Sequence, residues 1–437
     1  MSTLVKNVTR NASWLMSEKV VVMGANLLVN VLLARSMGPE GFGKLSYIIA
    51  IVAMFAPLAA LGMNAIVTRE LINSPDQHDK IIATTLAMRV FGSSSVSLIC
   101  LTIAICGIGL TNEESRWGLI VLCLASAFSC FSVLEFWFQS KMAAKVVTRM
   151  KLAIVLFFSL IKIIAIYSDA EFIVLVSVFA IENVFVGLGF VYIYYKDGFK
   201  LVLKSVDFQY GLNLVKRSFW LILSGFAAII YLKIDQIMLE QLSSTSEVGL
   251  YAVAARMSEV WYFFADAIVI SLFPSLLLLK QQNNNKKYLV RLQKLSDILL
   301  LLGFVLAIFV TIIAKPFIGV VFGSDYLSSA LILQIHIWAC VFVFMRSMVS
   351  KWLIVEDLLR YSLISHGLGA VINVIVNYLL IPTYGGVGAA AATLISYFVA
   401  SYLAFWFGRK TRIMAIIMSR SLLLPFTFGY RYWSIFK

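Results

Sequence analysis

Charge is scarce in this sequence. Only 13% of its 437 residues are Asp, Glu, Lys or Arg, about half the roughly 25% of an average soluble domain. Hydrophobic residues make up 61%, and the mean hydropathy is +0.93, more apolar surface than a water-soluble chain hides. Histidines number three and cysteines five. No CxxC and no H-E-x-x-H occurs, so no bound metal is expected. Cys100, Cys106, Cys123, Cys130 and Cys340 all fall in apolar runs and read as small core hydrophobes. Without a P-loop the chain does not draw directly on ATP, and without G-x-S-x-G or any other catalytic constellation neither an enzyme nor a cofactor is expected.

What is present is apolar sequence in windows of about 20 residues, recurring from Trp14 to Gly408, the length at which a helix crosses a bilayer. Twelve spans are expected, at 13–35, 45–68, 82–110, 117–140, 146–168, 172–195, 218–240, 250–273, 292–314, 328–351, 360–381 and 386–408. The first dozen residues are polar and run straight into a full-length span, unlike a cleaved signal.

The excess of basic residues tests this map, because cytoplasmic loops are enriched in Lys and Arg. With the N-terminus inside and span-end residues counted to the adjoining loop, cytoplasmic segments hold 26 of the 36, outer loops 4 and spans 6. Both termini are therefore expected in the cytoplasm, with very short outer loops such as NEESR (112–116). The formal charge of +14 follows from topology, so no nucleic-acid partner is expected.

The longest cytoplasmic connection, KDGFKLVLKSVDFQYGLNLVKR (196–217), divides the spans six and six. The segments beginning at Trp14 and Trp220 share a long helix, a short polar loop, a Gly (Gly43, Gly249) and a second helix, the trace of a duplication. The expected organisation is an N-terminal six-helix lobe (1–195), a cytoplasmic linker (196–217), a C-terminal six-helix lobe (218–410) and a basic cytoplasmic tail (411–437). The fold class is all-α integral membrane, about 12 transmembrane helices in two six-helix bundles around a central cavity. Two like-oriented halves suit a transporter that rocks about a central site.

A charge at the bilayer centre costs about 2.5–3.5 kcal/mol, so it faces water or a partner unless it lies near a helix end. Glu18, Lys19, Glu135, Asp297 and Arg346 lie near span ends and are expected to snorkel to the interface. Glu182, near the middle of the sixth span, needs a partner or a proton. In YAVAARMSEVWYFFADAIVI (251–270), Arg256, Glu259 and Asp266 fall on one side of a continuous helix at 100° per residue. They serve either as an internal ion pair that fixes packing or as an anion site built on Arg256. Lys233 and Asp235 are two apart, on opposite sides of their helix; one is expected to face the cavity and the other a neighbouring helix. The i, i+4 amide pairs Asn26/Asn30 and Asn373/Asn377 are expected to join helices rather than touch a ligand.

The segment INVIVNYLLIPTYGGVGAAAATLISY carries Asn373, Asn377, Ile381, Pro382, Tyr384, Gly385, Gly388, Ala389, Ala390 and Thr393. It resembles the closing helix pair of polysaccharide flippases in the multidrug/oligosaccharidyl-lipid/polysaccharide exporter superfamily. LLARSMGPEGFGKLSY (32–47) and IDQIMLEQLSSTSEVGLYAVAARMSE (234–259) are similar to the same family, so the resemblance covers both halves. It implies an O-antigen repeat-unit flippase that moves an undecaprenyl-diphosphate-linked oligosaccharide from the cytoplasmic to the outer leaflet of a bacterial inner membrane. A polysaccharide polymerase and a chain-length regulator of the same pathway are the protein partners it implies. Arg256 looks like a cation that related lipid II flippases place on the corresponding helix, but the acid they carry two positions earlier is Ala254 here.

On this reading Arg256, Lys233, Arg89 and Lys162 bind the diphosphate and sugars, and Glu182, Asp235, Glu259 and Asp266 are the candidates for a coupled proton or sodium step. The alternatives are a multidrug or cation antiporter of the same superfamily, which would favour an acidic cavity, and a membrane glycan polymerase, which would need a larger outer loop.

Overall fold

The computed structural model describes residues 3–110, 112–282 and 284–424; the expected tail beyond residue 424 lies outside the described residues. Every regular element among them is helical. The chain divides into two compact units, Met1–Ile229 and Ile230–Lys437, and the boundary falls inside one long helix.

Unit one contains α1 (Thr3–Ala60), α2 (Asn64–Asn73), α3 (His78–Cys106), α4 (Glu113–Ser126), α5 (Val133–Ser140), α6 (Ala144–Tyr167), α7 (Phe172–Lys196) and the first part of α8 (Phe208–Leu242). Unit two contains the rest of α8, then α9 (Thr245–Glu259), α10 (Tyr262–Gln281), α11 (Asn285–Val321), α12 (Ser329–His336), α13 (Ala339–Val355), α14 (Leu359–Ser401) and α15 (Arg412–Leu422). Ten helical segments among the described residues are long and apolar enough to cross a membrane. Two of them, Ser13–Ala60 and Leu359–Trp406, run for 48 residues each, about 72 Å if straight against roughly 30 Å of hydrocarbon.

Each of these carries an interior break. Gly38 takes φ 64° and ψ 179°, followed by Pro39; Gly385 takes φ 52° and ψ −132°, three residues after Pro382. Both glycines sit at positive φ, where a side chain is strained. Each long segment thus turns back and crosses twice, which brings ten segments to the twelve crossings read from the sequence.

The turn at Gly385 is fastened from outside α14. Glu247, in the first turn of α9, accepts a hydrogen bond from Gly386 N at 2.6 Å, satisfying an orphan donor and placing negative charge at a helix start. A Cβ at Gly385 would lie 2.7 Å from that carboxylate.

Helices expected to be continuous are interrupted elsewhere. The fourth span is α4, a 3₁₀ stretch Ala127–Ser132, and α5. The eighth is α9 and α10, with the i→i−4 ladder giving way to i→i−3 bonds at Trp261 and Phe264 although Val260 and Trp261 stay in the right-handed helical region; α12 and α13 part in the same way, at Trp338 and Cys340. The break after Glu259 corrects the single helix expected over 250–273: Arg256 and Glu259 lie on α9, whereas Asp266 lies on α10 and accepts from Ser347 Oγ at 2.6 Å.

The connection after α7 is packed onto unit one. Phe199 packs edge-on against Trp137 and tilted against Tyr194, at centroid distances of 4.6 and 5.6 Å. Asp207 accepts from Tyr210 N at 2.9 Å, capping α8, and its other oxygen pairs with Lys80 at 2.7 Å.

Candidate functional site

The charges that the sequence singled out lie in separate clusters. In unit one, Lys162 of α6 is buried, 1% exposed, and pairs with Glu182 of α7; its ammonium also lies 3.7 Å from the centroid of Phe179, a favourable cation–π position. Glu182 thus has the partner that its depth demanded, and Lys162 is offset by an acid.

Arg89 of α3 is placed differently. It is 4% exposed and donates to Asn64 Oδ1 of α2 and to Ser132 Oγ of the 3₁₀ stretch, the latter at 2.6 Å. It lines a cavity of about 410 Å³ walled by α1, α3, α4, the 3₁₀ stretch and α7. The interruption of the fourth span creates this wall: Gly187 of α7 approaches Phe128 so closely that a Cβ would lie 2.7 Å from the Phe128 carbonyl oxygen.

Unit two holds a buried carboxylate. Asp235 of α8 is 1% exposed and accepts from Tyr251 Oη at 2.6 Å, Thr393 Oγ1 at 2.7 Å and Asn377 Nδ2 at 2.5 Å. Asn377 also donates to Asn373 Oδ1 at 3.1 Å. The reversal of α14 at Gly385 is what brings Asn377, before the turn, and Thr393, after it, to one carboxylate. Each hydrogen bond to a charged group contributes about 1.5–3 kcal/mol, so three donors offset a desolvation penalty of several kcal/mol without a cation. Asn377 Oδ1 is buried with no hydrogen-bond partner. Carboxylate, amide and hydroxyl oxygens are hard donors, suited to a proton or a small cation rather than a transition metal. No group of three His, Cys, Asp or Glu that would hold a metal occurs among the described residues.

Lys233 points away from Asp235, as its spacing requires, and pairs with Glu259 of α9 at 3.6 Å, both half-buried. Arg256 is half-buried on α9, one helical turn before Glu259.

Four residues expected to snorkel do not. Arg346 is buried and donates to Ser365 Oγ at 2.8 Å, His366 Nε2 at 2.8 Å and Ser362 Oγ at 3.3 Å, and Tyr231 Oη lies 2.9 Å from His366 Nδ1. Asp297 is buried and accepts from Ser421 Oγ at 2.6 Å and Gln293 Nε2 at 2.9 Å, tying α15 to α11. Glu18 and Glu135 both pair with Lys151, at 3.3 and 2.9 Å. In each case a neighbouring helix supplies the partner that water was expected to supply. Asn373 and Asn377 join helices as expected, through Asp235; Asn30 instead bonds the Asn26 carbonyl on its own helix at 2.7 Å.

The sequence model of the family described as "Polysaccharide biosynthesis protein" matches residues 8–280. No curated protein matches the chain. Among solved structures it is similar to an inward-facing multidrug resistance MATE family transporter of the MOP superfamily, at 15% identity over 90% of this chain and 94% of that one, with TM-score 0.73. It is similar also to the lipid II flippase MurJ in an inward closed conformation, at 14% identity over 96% and 92%, with TM-score 0.71. A MOP superfamily transporter from Pyrococcus furiosus, described as having a binding pocket of reverse polarity, matches at 15% identity over 94% and 96%, with TM-score 0.65. At these identities the likeness is one of fold.

Proposed function

Because the chain belongs to the polysaccharide biosynthesis protein family and has the fold of MOP superfamily transporters, we propose that it is a flippase for undecaprenyl-diphosphate-linked oligosaccharide repeat units of the O-antigen type. It would work by alternating access in the bacterial inner membrane, with both termini cytoplasmic. The observation that carries the reading is the family match, joined to membrane-embedded cations in a chain whose fold is shared with a lipid II flippase.

Arg256 and Lys233 are the diphosphate ligands on this reading, since an anion entering a low-dielectric passage needs a cation with directed N–H donors. Lys233 exchanges its 3.6 Å contact with Glu259 for phosphate oxygens. Lys162 is already offset by Glu182 and holds helices first; Arg89 answers to its own cavity. Asp235, with its buried oxygen cluster, is the leading candidate for ion or proton coupling, ahead of Glu182 and Asp266, held by Lys162 and Ser347, and of Glu259, which neighbours both Lys233 and Arg256. Outward movement of about two negative charges is favoured by an inside-negative potential at roughly 2.3 kcal/mol per charge per 100 mV.

The test is reconstitution in vesicles with labelled lipid-linked oligosaccharide. Wild type transfers it between leaflets and Arg256→Ala, at equal abundance, does not; transfer at the wild-type rate removes Arg256 from the site. Uptake of labelled organic cations in place of lipid transfer would identify an antiporter, and a change in glycan chain length would identify a polymerase.

A further inference from the structure

Two cavities of unit one meet at a single side chain. The inner one, about 410 Å³, is lined by Arg89, Asn64, Ser132 and Asn183 among apolar residues. The outer one, about 500 Å³, is lined by Asn64, Thr68, Arg69, Phe136 and Gln139. Both volumes fall in the range of about 300–1,000 Å³ typical of small-molecule pockets. Asn64 borders both, and Arg89, hydrogen-bonded to Asn64, lies 5.3 Å from the centroid of Phe136, a wall of the outer cavity.

The electrostatics of this junction are one-sided. Arg89 has no carboxylate within ion-pair distance among the described residues, its two bonded partners are neutral, and its Nε is buried without a partner. The acids on the adjoining helices are engaged elsewhere, Glu70 of α2 with Arg217 at 2.9 Å and Glu135 of α5 with Lys151 at 2.9 Å. Arg69, in the outer cavity, is exposed and forms no ion pair among the described residues. A buried guanidinium whose nearest acid, Glu135, acts only from beyond ion-pair distance is costly, and Asn and Ser oxygens supply only part of what is missing. Its planar fork of five donors matches phosphate oxygens better than any other common anion.

We propose that these two cavities form one phosphate-binding site inside unit one, with Arg69 receiving the anion in the outer compartment and Arg89 holding it at the junction. The ligand class is a phosphate or diphosphate group, carried by a lipid or free in solution. The sequence grouped Arg89 with Arg256 and Lys233 as diphosphate ligands; the cavities give it, with Arg69, a site of its own, apart from the Arg256 and Lys233 of unit two that the transport reading uses.

The experiment measures binding of radiolabelled inorganic pyrophosphate to the full chain in phosphatidylcholine nanodiscs, at fixed ionic strength and without lipid-linked cargo. The reference protein, wild type at positions 69 and 89 but carrying Arg256→Ala and Lys233→Met so that unit two supplies no diphosphate ligand, binds saturably. Arg69→Gln, an exposed change that leaves the core untouched, and Arg89→Gln each weaken binding about tenfold or more, as loss of one charge-assisted contact of about 1.5–3 kcal/mol requires, and Arg89→Lys retains most of it. No saturable binding by the reference protein overturns the proposal, as does unchanged affinity in Arg69→Gln together with Arg89→Lys and Arg89→Gln. A second arm assigns the source. In discs containing phosphatidylglycerol, weaker apparent pyrophosphate affinity identifies lipid head groups as occupants, and unchanged affinity identifies a phosphate that arrives from solution. Because no transport is read, failure here leaves the flippase assay intact, and failure of that assay leaves this one intact.

Discussion

Replacing Glu182 by Gln would leave the Lys162 ammonium in place, 1% exposed, with its carboxylate gone. Removing one partner of a buried pair costs about 3–5 kcal/mol, because the remaining charge keeps its desolvation penalty and loses its compensation. The Phe179 ring at 3.7 Å faces the ammonium in both proteins and cancels, but the Gln amide oxygen still accepts one hydrogen bond, so the lower end of the range is expected, roughly 3 kcal/mol. For a unit of this size that corresponds to a fall in melting temperature on the order of 5–10 °C. The double variant Lys162→Met/Glu182→Gln, with no charge left to bury, recovers most of the loss. Thermal unfolding of wild type, Glu182→Gln, Lys162→Met and the double variant in detergent, followed by the loss of the monodisperse peak on size exclusion, closes the cycle. A single variant as stable as wild type, or a double variant less stable than Glu182→Gln, would refute the account of the pair as a mutually compensated charge.

Asp235→Asn keeps size and most hydrogen-bonding capacity while removing the charge, so it should leave a folded protein whose transport no longer responds to a sodium or pH gradient; response equal to wild type excludes Asp235 from coupling. Asp207→Asn preserves the cap on α8, since Asn caps as well as Asp, and removes only the charge. The hydrogen bond from Lys80 and those from backbone N–H groups hold the Asp207 carboxyl below its ordinary value of 3.8. Its contribution to stability is therefore complete above about pH 4 and is lost as pH falls through the lowered value; wild type should lose melting temperature below pH 4 more steeply than Asp207→Asn, and parallel acid limbs would show that the pair contributes nothing.

The twelve crossings were legible because hydropathy reports on each segment alone, and the turn at Gly385 because it falls between the spans expected at 360–381 and 386–408, where Pro382 and the glycine fix backbone conformation locally. The interruptions after Ser126, Glu259 and His336 were not, since the residues there have ordinary helical tolerance and the break depends on what packs across it. The charges show the same division. Spacing correctly separated Lys233 from Asp235, a property of one helix. It was silent about Lys162 with Glu182, or Asp235 with Thr393, which lie on different helices 20 and 158 residues apart. Snorkelling failed for Arg346 because closeness to a span end says nothing about acceptors on the helix beside it, where Ser362 and Ser365 supply hydroxyl oxygens and His366 a ring nitrogen.

The grip of Glu247 on Gly386 has a mechanical corollary. It welds the start of α9 to the returning limb of α14, so that end of unit two travels as a block, and any flexing within the unit is displaced to joints where the helical ladder has already let go. Val260–Trp261 and Ile337–Trp338 are those joints. The first directly follows the turn that bears Arg256 and Glu259, so a small bend there would swing Asp266 against both charges while the carboxylate of Asp235 stayed still.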